Sequence, residues 1–513
     1  MKRRALLAGL TGSLSALAGC NGLGEVVDRQ TREPFRVETT ATEREPQVSA
    51  SPPTEPSQTA FSLVEGPPRR LAVGDVTDGQ DGLSATVGFT GDGSTGTPPR
   101  LWVGVTNTFP SGGEFQFPGL VPFDGLVGRR PGDDLSDADT MVERPQLVLV
   151  PLRDERFASV RPADPEDGCW LATDAIPTDV DGIEVTIESD QTVGREYLVL
   201  TDPGSDTCLQ PGVYRFESAV PNLSFGISVW NPEQAQARES VFAGDANPFP
   251  GGLVPSLPDC SAAWFHQARE AGAEAFLAPA QERIELPETV DVTLQRYGEG
   301  TVRPTRLQLY RRQDERWVPI RPPAGVTRQY DPLTPGWPAT RTLALGADAG
   351  VLGTGSGTLG LPGLRPGTYA VRFGKVERER GSTCLAALLS LAGGDADLTP
   401  TNHVEDTDRD GETYLVLSRR RRPDDPLLEC TRVGDTGDRP DETLILEQVM
   451  QLDGLRNTLT YLRADDSLSA VYLQTSPRVV QRALGAVGLE RARRRRFVFD
   501  GTAYQVRRTR RGL

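Results

Sequence analysis

The stretch LQPGVYRF at residues 209–216 has a near copy at residues 364–369, LRPGTY, which leads into Val371 and Phe373. Pro-Gly before Tyr is typical of a tight turn that feeds a strand. A second pair of similar stretches, at residues 154–162 and 314–322, precedes the first pair in the same order. Both begin Asp-Glu-Arg and continue with an aromatic residue, which predicts a hairpin in each copy. We interpret the two pairs as a duplication of one β-rich domain.

Short runs of β-branched and aromatic residues recur between clusters of Gly, Pro and Asp. The clearest runs are residues 101–105, 145–150, 197–200, 290–294 and 306–310. This pattern predicts many short strands. We therefore expect a mainly β fold, with two tandem β-sandwich domains at residues 66–235 and 236–395 and a small C-terminal α+β domain at residues 396–513.

The N-terminus has the pattern of an export signal. A basic start and an apolar stretch over residues 5–18 lead to the sequence LAGC, which ends at Cys20. The apolar stretch is too short for a spanning helix, which needs about 20 apolar residues, and it suits a signal peptide at residues 1–19. We expect a lipid on Cys20 that anchors the protein to the extracellular face of the cell membrane. Residues 20–65, rich in Thr, Ser and Pro, are predicted to be a disordered tether.

Charge restricts the partners of the chain. It carries 71 Asp and Glu residues against 55 Lys and Arg, a formal net charge of −16. Strong acidity argues against general affinity for nucleic acid, whose phosphates attract cationic surfaces. We expect no nucleic-acid partner.

Lysine is almost absent, since it occurs only at Lys2 and Lys375. An acidic chain with so little lysine, a signal that ends at Cys20, and the repeated Leu-x-Pro-Gly-x-Tyr motif together resemble uncharacterised haloarchaeal surface lipoproteins with immunoglobulin-like β-sandwich domains. The resemblance covers residues 66–375. It implies immunoglobulin-like sandwiches and a structural, protein-binding or ligand-binding module on the cell surface, and it carries over no catalytic residue.

The cysteines suit an exported protein. Cys169 and Cys208 lie on either side of the predicted strand at residues 197–200, so we expect them to form a disulfide. Three further cysteines leave two pairings open, Cys260 with Cys384 or Cys384 with Cys430, and spacing alone does not choose between them.

Two short motifs suggest a bound ion and a glycan. Asp406, Asp408 and Asp410 precede a glycine in the sequence DTDRDG, which matches the first half of a calcium-binding loop. The twelfth position of such a loop is expected to hold a bidentate Glu, but here it holds Leu417. A polar hairpin turn is therefore the favoured interpretation. Calcium is the one cofactor that the sequence suggests. The sequence Asn-Leu-Ser at Asn222 is an acceptor for glycosylation.

Signatures of catalysis are weak. The two histidines, His266 and His403, lie in different predicted domains and lack the spacing of a metal pair or a triad. A Gly-rich stretch at residues 355–360 fits a dinucleotide fingerprint, but Pro362 stands where the helix would begin, so we predict a loop. We therefore expect no catalysis. Two alternatives stay open, a solute-binding lipoprotein that serves a transporter and a secreted hydrolase that uses paired carboxylates.

Within the C-terminal region, the segment from Glu442 is predicted to run strand, polar linker and strand. Ser476 and Pro477 then predict a helix that ends near Gly488, and an Asp-Gly turn predicts a final hairpin. The last 36 residues contain eleven arginines against two acidic residues. Such a basic end suits acidic lipid headgroups, an anionic surface polymer or the protein's own acidic domains, but a solvated strand edge is the favoured interpretation. A surface protein or an anionic polymer is the expected partner of the chain.

Overall fold

Strands dominate the structure. The computed structural model describes residues 49–509, apart from 50, 63–67, 79–81, 92–96, 131–146, 161, 163–169, 178–181, 206–208, 221, 234, 245–247, 250–252, 299, 321–329, 347–357, 379–380, 395, 420, 435–441 and 489–493. The described strands form several sheets in a mainly β fold, as the runs of β-branched and aromatic residues predict. They fall into three groups along the chain.

The first group buries an apolar core between its sheets. One sheet has the order β1-β2-β11-β10 and another the order β3-β4-β9-β7-β6, with β5 and β8 forming a separate ribbon. Large apolar side chains of both sheets, among them Val103, Tyr197 and Phe225, join one buried cluster. The strands are β1 (Thr59–Ser62), β2 (Arg69–Thr77), β3 (Leu83–Gly91), β4 (Arg100–Asn107), β5 (Gly113–Phe117), β6 (Val127–Gly128), β7 (Leu147–Pro151), β8 (Ile183–Ile187), β9 (Thr192–Thr201), β10 (Gly212–Glu217) and β11 (Ser224–Trp230).

The predicted tether, residues 20–65, is too long at its C-terminal end. Ser49 pairs with Gly194 and Ser57 pairs with Phe89 as isolated bridges. β1 then pairs with β2 over four residues. The local composition did not indicate β1, because its pairing partner, β2, lies outside the stretch of sequence from which the tether was predicted.

The second group also has two sheets around a core. β12, β22, β21, β17 and β18 form one sheet in that order, β14 and β16 join it, and β13-β15-β19-β20 form the other. Their apolar faces share one buried cluster that includes Leu294, Tyr369 and Leu389. The elements are β12 (Ala262–Trp264), α1 (Phe265–Ala268), β13 (Ala275–Pro279), β14 (Arg283–Glu285), β15 (Glu288–Arg296), β16 (Val302–Arg303), β17 (Gln308–Gln313), β18 (Arg316–Pro319), β19 (Ala339–Leu345), β20 (Thr358–Leu361), β21 (Gly367–Arg378) and β22 (Gly381–Ala392).

The repeated Pro-Gly-x-Tyr motif adopts the same local structure in both groups. Tyr214 donates its hydroxyl hydrogen bond to the Gln210 carbonyl at 2.9 Å, and Tyr369 donates to the Arg365 carbonyl at 2.6 Å. Both rings are buried at the start of a strand that forms a hairpin with the next one. In each copy the hydroxyl reaches back four residues and closes the turn.

An arginine completes each of these turns. Arg130 donates to the Pro211 carbonyl at 3.2 Å and lies 5.1 Å from the Tyr214 ring centre. Arg311 donates to the Pro366 carbonyl at 3.3 Å and lies 6.0 Å from the centre of the equivalent ring. The two arginines come from unrelated stretches of sequence, so the two turns share this contact although the residues that supply it are not equivalent.

Removing either hydroxyl tests the shared turn. We expect Tyr369→Phe and Tyr214→Phe each to lower the free energy of unfolding by about 1 kcal/mol, because each leaves a carbonyl without its donor. Denaturant titration measures the change, and the exposed Thr289→Val serves as a surface control. A change near zero in both tyrosine variants would contradict a structural role for the hydroxyls.

The second repeated stretch does not keep its structure. In the first group Asp154 caps a short 3-10 helix, Glu155–Phe157, whereas in the second group Asp314 lies in the turn between β17 and β18. The predicted hairpin is therefore wrong for the first copy. Asp154 accepts the backbone N–H of Arg156, and Phe157 turns into the core, so the chain coils where a second strand was expected.

Asp154 makes stability depend on pH. Burial alone would raise the pKa of this carboxyl, but hydrogen bonds from Arg156 and Arg195 outweigh that effect and lower the pKa to about 2. The unfolded carboxyl takes up its proton near pH 4, so the stabilisation is complete above pH 4 and is lost as the pH falls to about 2.

We expect the difference in unfolding free energy between the wild type and Asp154→Asn to be larger at pH 6 than at pH 2.5. Denaturant titrations at both values measure it. Thr289→Val, at an exposed position without a titratable group, should show no such change. A difference for Asp154→Asn that stays constant over this range would contradict the ion pair.

The third group is a single seven-stranded sheet with helices on one face. Its order is β23-β24-β27-β25-β29-β28-β26. The helices bury Leu455, Leu459 and Val480 against Val471 and Cys430 of the sheet. The elements are β23 (Val404–Asp410), β24 (Thr413–Ser418), β25 (Leu427–Arg432), β26 (Glu442–Leu444), α2 (Leu446–Met450), α3 (Asp453–Ala464), β27 (Ala470–Gln474), α4 (Pro477–Ala486), β28 (Arg494–Phe499) and β29 (Thr502–Thr509).

The sequence prediction missed two helices here. The segment read as a polar linker contains α2 and α3, and Leu455, Leu459 and Leu462 recur at the spacing of one helical face. The helix predicted after Ser476 is α4. The predicted hairpin joins β28 to β29, and positive φ angles at both turn residues fit a type I′ turn.

The structure chooses between the two open cysteine pairings. Cys260 is bonded to Cys384, whereas Cys430 is a free, buried thiol in the core of the third group. Burial raises the pKa of Cys430 to about 12. The expected disulfide between Cys169 and Cys208 lies outside the described residues.

Residues 47–513 belong to one compact unit. None of the four helices in the described ranges is long and apolar enough to cross a bilayer.

Candidate functional site

Among the residues that the structure describes, the predicted site residues do not come together. Cys20 lies outside the described residues. Asn222 is exposed in the tight turn between β10 and β11, with a positive φ of 64°, so its side chain is accessible to solvent. His266 is buried beside Trp264, with ring centres 6.2 Å apart, and burial lowers its pKa. His266 therefore lies at the edge of a hydrophobic core.

The three aspartates of the candidate calcium loop lie on an extended strand. Asp406, Asp408 and Asp410 belong to β23, and Gly411, with a φ of 57°, begins the turn into β24. Alternate residues of a strand are about 7 Å apart, too far for all three carboxylates to hold one cation. Within the described residues no group of three His, Cys, Asp or Glu side chains could hold a metal ion. The three aspartates therefore lie in a polar hairpin, which is the interpretation that the sequence favoured.

These aspartates mark one edge of a charged surface, which we call the outer face. It is the face of the third group's sheet opposite the helices. Strand register places one residue of each of six strands in a single row: Arg494, Arg507, Glu429, Tyr472, Leu415 and Asp408. The row runs from a basic end to an acidic edge. Arg507 donates to Glu429 at 2.6 Å, and this bond raises the pKa of the arginine.

The first and second groups meet at what we call the first joint. Gly74 on β2 pairs with Gly226 on β11, and the two make a flat patch without side chains. A Cβ atom on Gly74 would lie 2.0 Å from Oγ1 of Thr334, and one on Gly226 would lie 2.3 Å from the ring of Trp337. The absence of both side chains is what lets the loop of the second group lie against the sheet.

Hydrogen bonding and stacking add to the first joint. Ser228 of β11 donates to the Pro335 carbonyl at 2.5 Å. Gly336, with a φ of 72°, lies against the ring of Trp230, where a Cβ atom would approach to 2.4 Å. Trp230 in turn contacts Tyr297 of the second group, with ring centres 6.2 Å apart. The first joint is therefore apolar, and its two surfaces are complementary in shape.

A cavity of about 200 Å³ opens beside the first joint. Its aromatic walls are Trp230 and Tyr297, and its polar lining includes Arg70, Arg269 and Glu274. Trp230 is 5% exposed, and no acceptor among the described residues meets its Nε1–H group. A second cavity of about 390 Å³ shares Glu274 and is lined mainly by Gly, Ala and aliphatic residues.

The second and third groups meet at what we call the second joint. Glu447 of α2 is completely buried and accepts hydrogen bonds from Arg311 and Arg365, the latter at 2.9 Å. Arg365 belongs to the turn around Tyr369, and Arg311 of β17 donates to the Pro366 carbonyl of that turn. Gln448 and Gln451 flank Glu447 and donate to backbone carbonyls of the second group at 2.9 and 2.8 Å. The turn around Tyr369 thus also forms the surface against which α2 packs.

Sequence reasoning missed both joints. Gly74 and Gly226 are glycines within strands, which is a recognised signal of close backbone approach, but their pairing depends on register. Glu447 is one of 71 acidic residues, and its burial has no local signature.

The comparisons with known proteins assign no family. No protein-family model matches the chain, and no curated protein matches it. The solved structures that match include a polysaccharide lyase, with a TM-score of 0.12 and 7% identity. The alignment covers 64% of this chain and 36% of the lyase chain. Similarity this low carries no argument about fold or activity.

Proposed function

We propose that the protein is a lipid-anchored cell-surface module that acts as a rigid structural and binding element and does not catalyse a reaction. The observation that carries this proposal is the pair of locked joints. The glycine patch at the first joint and buried Glu447 at the second fix neighbouring groups by shape and by charge. Neighbouring domains of one chain move relative to each other by default, and the close packing at the first joint and the buried ion pairs at the second oppose such motion.

The proposal includes immunoglobulin-like sandwiches at residues 66–235 and 236–395 and a third domain at residues 396–513. The tyrosine turns at Tyr214 and Tyr369 support it, because immunoglobulin-like domains contain a tyrosine whose hydroxyl bonds to the backbone a few residues upstream. The parallel pairing of β12 and β14 with β22 departs from that family's antiparallel sheets.

The basic end of the outer face, at Arg494 and Arg507, is where we place a contact with an anionic surface polymer. Exposed arginine side chains suit carboxylate and sulfate groups. The signal peptide, the haloarchaeal origin and the extracellular location belong to the same proposal, and they rest on the N-terminal pattern and the shortage of lysine.

The anchor is tested by Cys20→Ser in the native host. The proposal expects the wild-type protein in the membrane fraction and the variant in the medium or the soluble fraction. Asn222→Gln, made in the same way, is the control that leaves the anchor intact. Unchanged membrane retention of Cys20→Ser would contradict lipid anchoring.

A further inference from the structure

The disulfide between Cys260 and Cys384 has a cation beside it that the proposed function does not use. We infer that this disulfide is a site of thiol–disulfide exchange, at which an external dithiol reduces the bond and Arg372 stabilises the thiolates that form. The inference is independent of the anchor and of the outer face. It begins with the guanidinium group of Arg372.

Arg372 lies against both sulfur atoms of the bond. Its Nη1 is 3.4 Å from Sγ of Cys260 and 3.8 Å from Sγ of Cys384. The side chain is 15% exposed, and its Nε meets no acceptor among the described residues. Within the same residues one carboxylate pairs with it, that of Asp259, at 3.9 Å. Because sulfur is a weak acceptor, the oxidised form leaves a largely buried cation with poor hydrogen bonding.

Reduction supplies the anion that this cation lacks. An opposite charge within about 4–6 Å favours the charged form of an acid, and a neighbouring arginine lowers the pKa of a thiol. Arg372 contacts both sulfurs, so it stabilises whichever of them carries the charge. A thiol of lower pKa is also the faster leaving group in exchange. The bond should therefore be easier to reduce than a disulfide without such a cation.

The two cysteines differ in their access to solvent. Cys384 is 6% exposed and lies on β22, which pairs with β12 on one side and with β21 on the other. Cys260 is partly exposed and lies in the loop before β12, between the exposed residues Asp259 and Ser261. Cys260 is therefore the cysteine that an external thiolate attacks, and Cys384 is the first leaving group.

The exchange has two steps. One thiolate of the dithiol bonds to Sγ of Cys260, the bond between the two cysteines breaks, and its electron pair stays on Sγ of Cys384. The second thiolate of the dithiol then bonds to the first sulfur of the dithiol and expels Cys260 as a thiolate. Two electrons pass to the protein, the dithiol becomes a cyclic disulfide, and its two protons pass to the solvent or to the cysteines.

Other ionisable groups surround the bond. Lys375 is opposite Cys384 in the strand register, but its ammonium group pairs with Glu377 at 3.2 Å. Tyr310 donates to Asp259 at 3.5 Å, and burial raises the pKa of the tyrosine to about 12, so it stays neutral at pH 9. Arg372 stays charged throughout. The stabilisation by Arg372 should therefore change between pH 6 and pH 9 because the cysteines of the reduced form ionise.

The test is a redox equilibrium of the full-length protein with reduced and oxidised dithiothreitol. Alkylation and mass spectrometry of the peptides that carry Cys260 and Cys384 give the equilibrium constant for reduction. We expect Arg372→Gln to lower this constant about tenfold at pH 9, or about 30 mV. At pH 6 both cysteines of the reduced form are protonated, so the variant and the wild type should differ less than about twofold. Arg316→Gln, at an exposed position on β18 of the same sheet, should change neither value.

Arg372→Lys keeps the charge and should stay within about threefold of the wild type. Four outcomes would overturn the inference: no reduction of the folded protein; equal constants for the wild type and Arg372→Gln at pH 9; a difference that is the same at pH 6; or a constant for Arg372→Lys as low as that of Arg372→Gln.

If Arg372→Gln does not fold, Asp259→Asn replaces it. The Asp259 side chain is 60% exposed, so this variant should fold. Removing the anion that competes for Arg372 should raise the constant at pH 9 about threefold. An unchanged or lower constant in that variant would also overturn the inference.

Discussion

Glu447→Leu should lower the free energy of unfolding by about 3 kcal/mol, the largest effect we expect from a single substitution. Removing one partner of a buried ion pair costs about 3–5 kcal/mol, because the remaining charges lose their compensation. We expect the lower end of that range, since Arg311 and Arg365 are 19% and 42% exposed and water can solvate them in part. Denaturant titration measures the change.

The control for this variant is Glu442→Leu, an exposed position on β26 of the same group. It should change the unfolding free energy by less than about 0.5 kcal/mol, as surface substitutions usually do. Glu447→Gln keeps the shape of the side chain, and its loss of unfolding free energy should lie between those of Glu447→Leu and Glu442→Leu. A loss below about 1 kcal/mol for Glu447→Leu would mean that the second joint behaves as a surface ion pair and does not lock the groups.

Gly226→Ala should be destabilising by about 2 kcal/mol, although alanine is among the smallest possible changes. The added methyl group would lie 2.3 Å from the Trp337 ring, so the loop of the second group must move. Overpacking of this kind costs about 1–3 kcal/mol. Denaturant titration measures the loss, and faster proteolysis at the first joint should accompany it.

Gly485→Ala is the matched control. Gly485 lies within α4 with no atom within 4 Å of an added Cβ, and alanine favours a helix over glycine by about 1 kcal/mol. The same chemical change should therefore stabilise the protein at residue 485 and destabilise it at residue 226. Stabilisation or no effect at Gly226 would contradict the close approach at the first joint.

Local patterns predicted the strands of the first two groups because strand formation is signalled within a few residues. Runs of β-branched and aromatic residues identified β4, β9 and β15, and the Asp-Gly turn identified the final hairpin. The Leu-x-Pro-Gly-x-Tyr motif predicted a shared turn, and the hydrogen bonds of Tyr214 and Tyr369 account for it. The similar stretches at Asp154 and Asp314 diverged, because capping by Asp154 and burial of Phe157 depend on the surrounding core.

Other features could not be predicted, because they depend on distant parts of the chain. β1 looked like tether until β2 provided its partner. The aspartates of β23 looked like a calcium loop because composition does not reveal that the backbone is extended. The cavity beside the first joint needs Trp230 and Tyr297 together, and they are 67 residues apart. Glu447 and Arg311 likewise meet only after two groups have folded.

The central claim is that the three groups are held rigidly. The most direct test is the distance distribution between two genetically encoded spin labels, at exposed Thr86 of the first group and exposed Arg478 of the third, measured by pulsed electron resonance. The account predicts one narrow distribution in the wild type that broadens in Gly226→Ala and in Glu447→Leu. A broad distribution in the wild type, unchanged by either substitution, would contradict it.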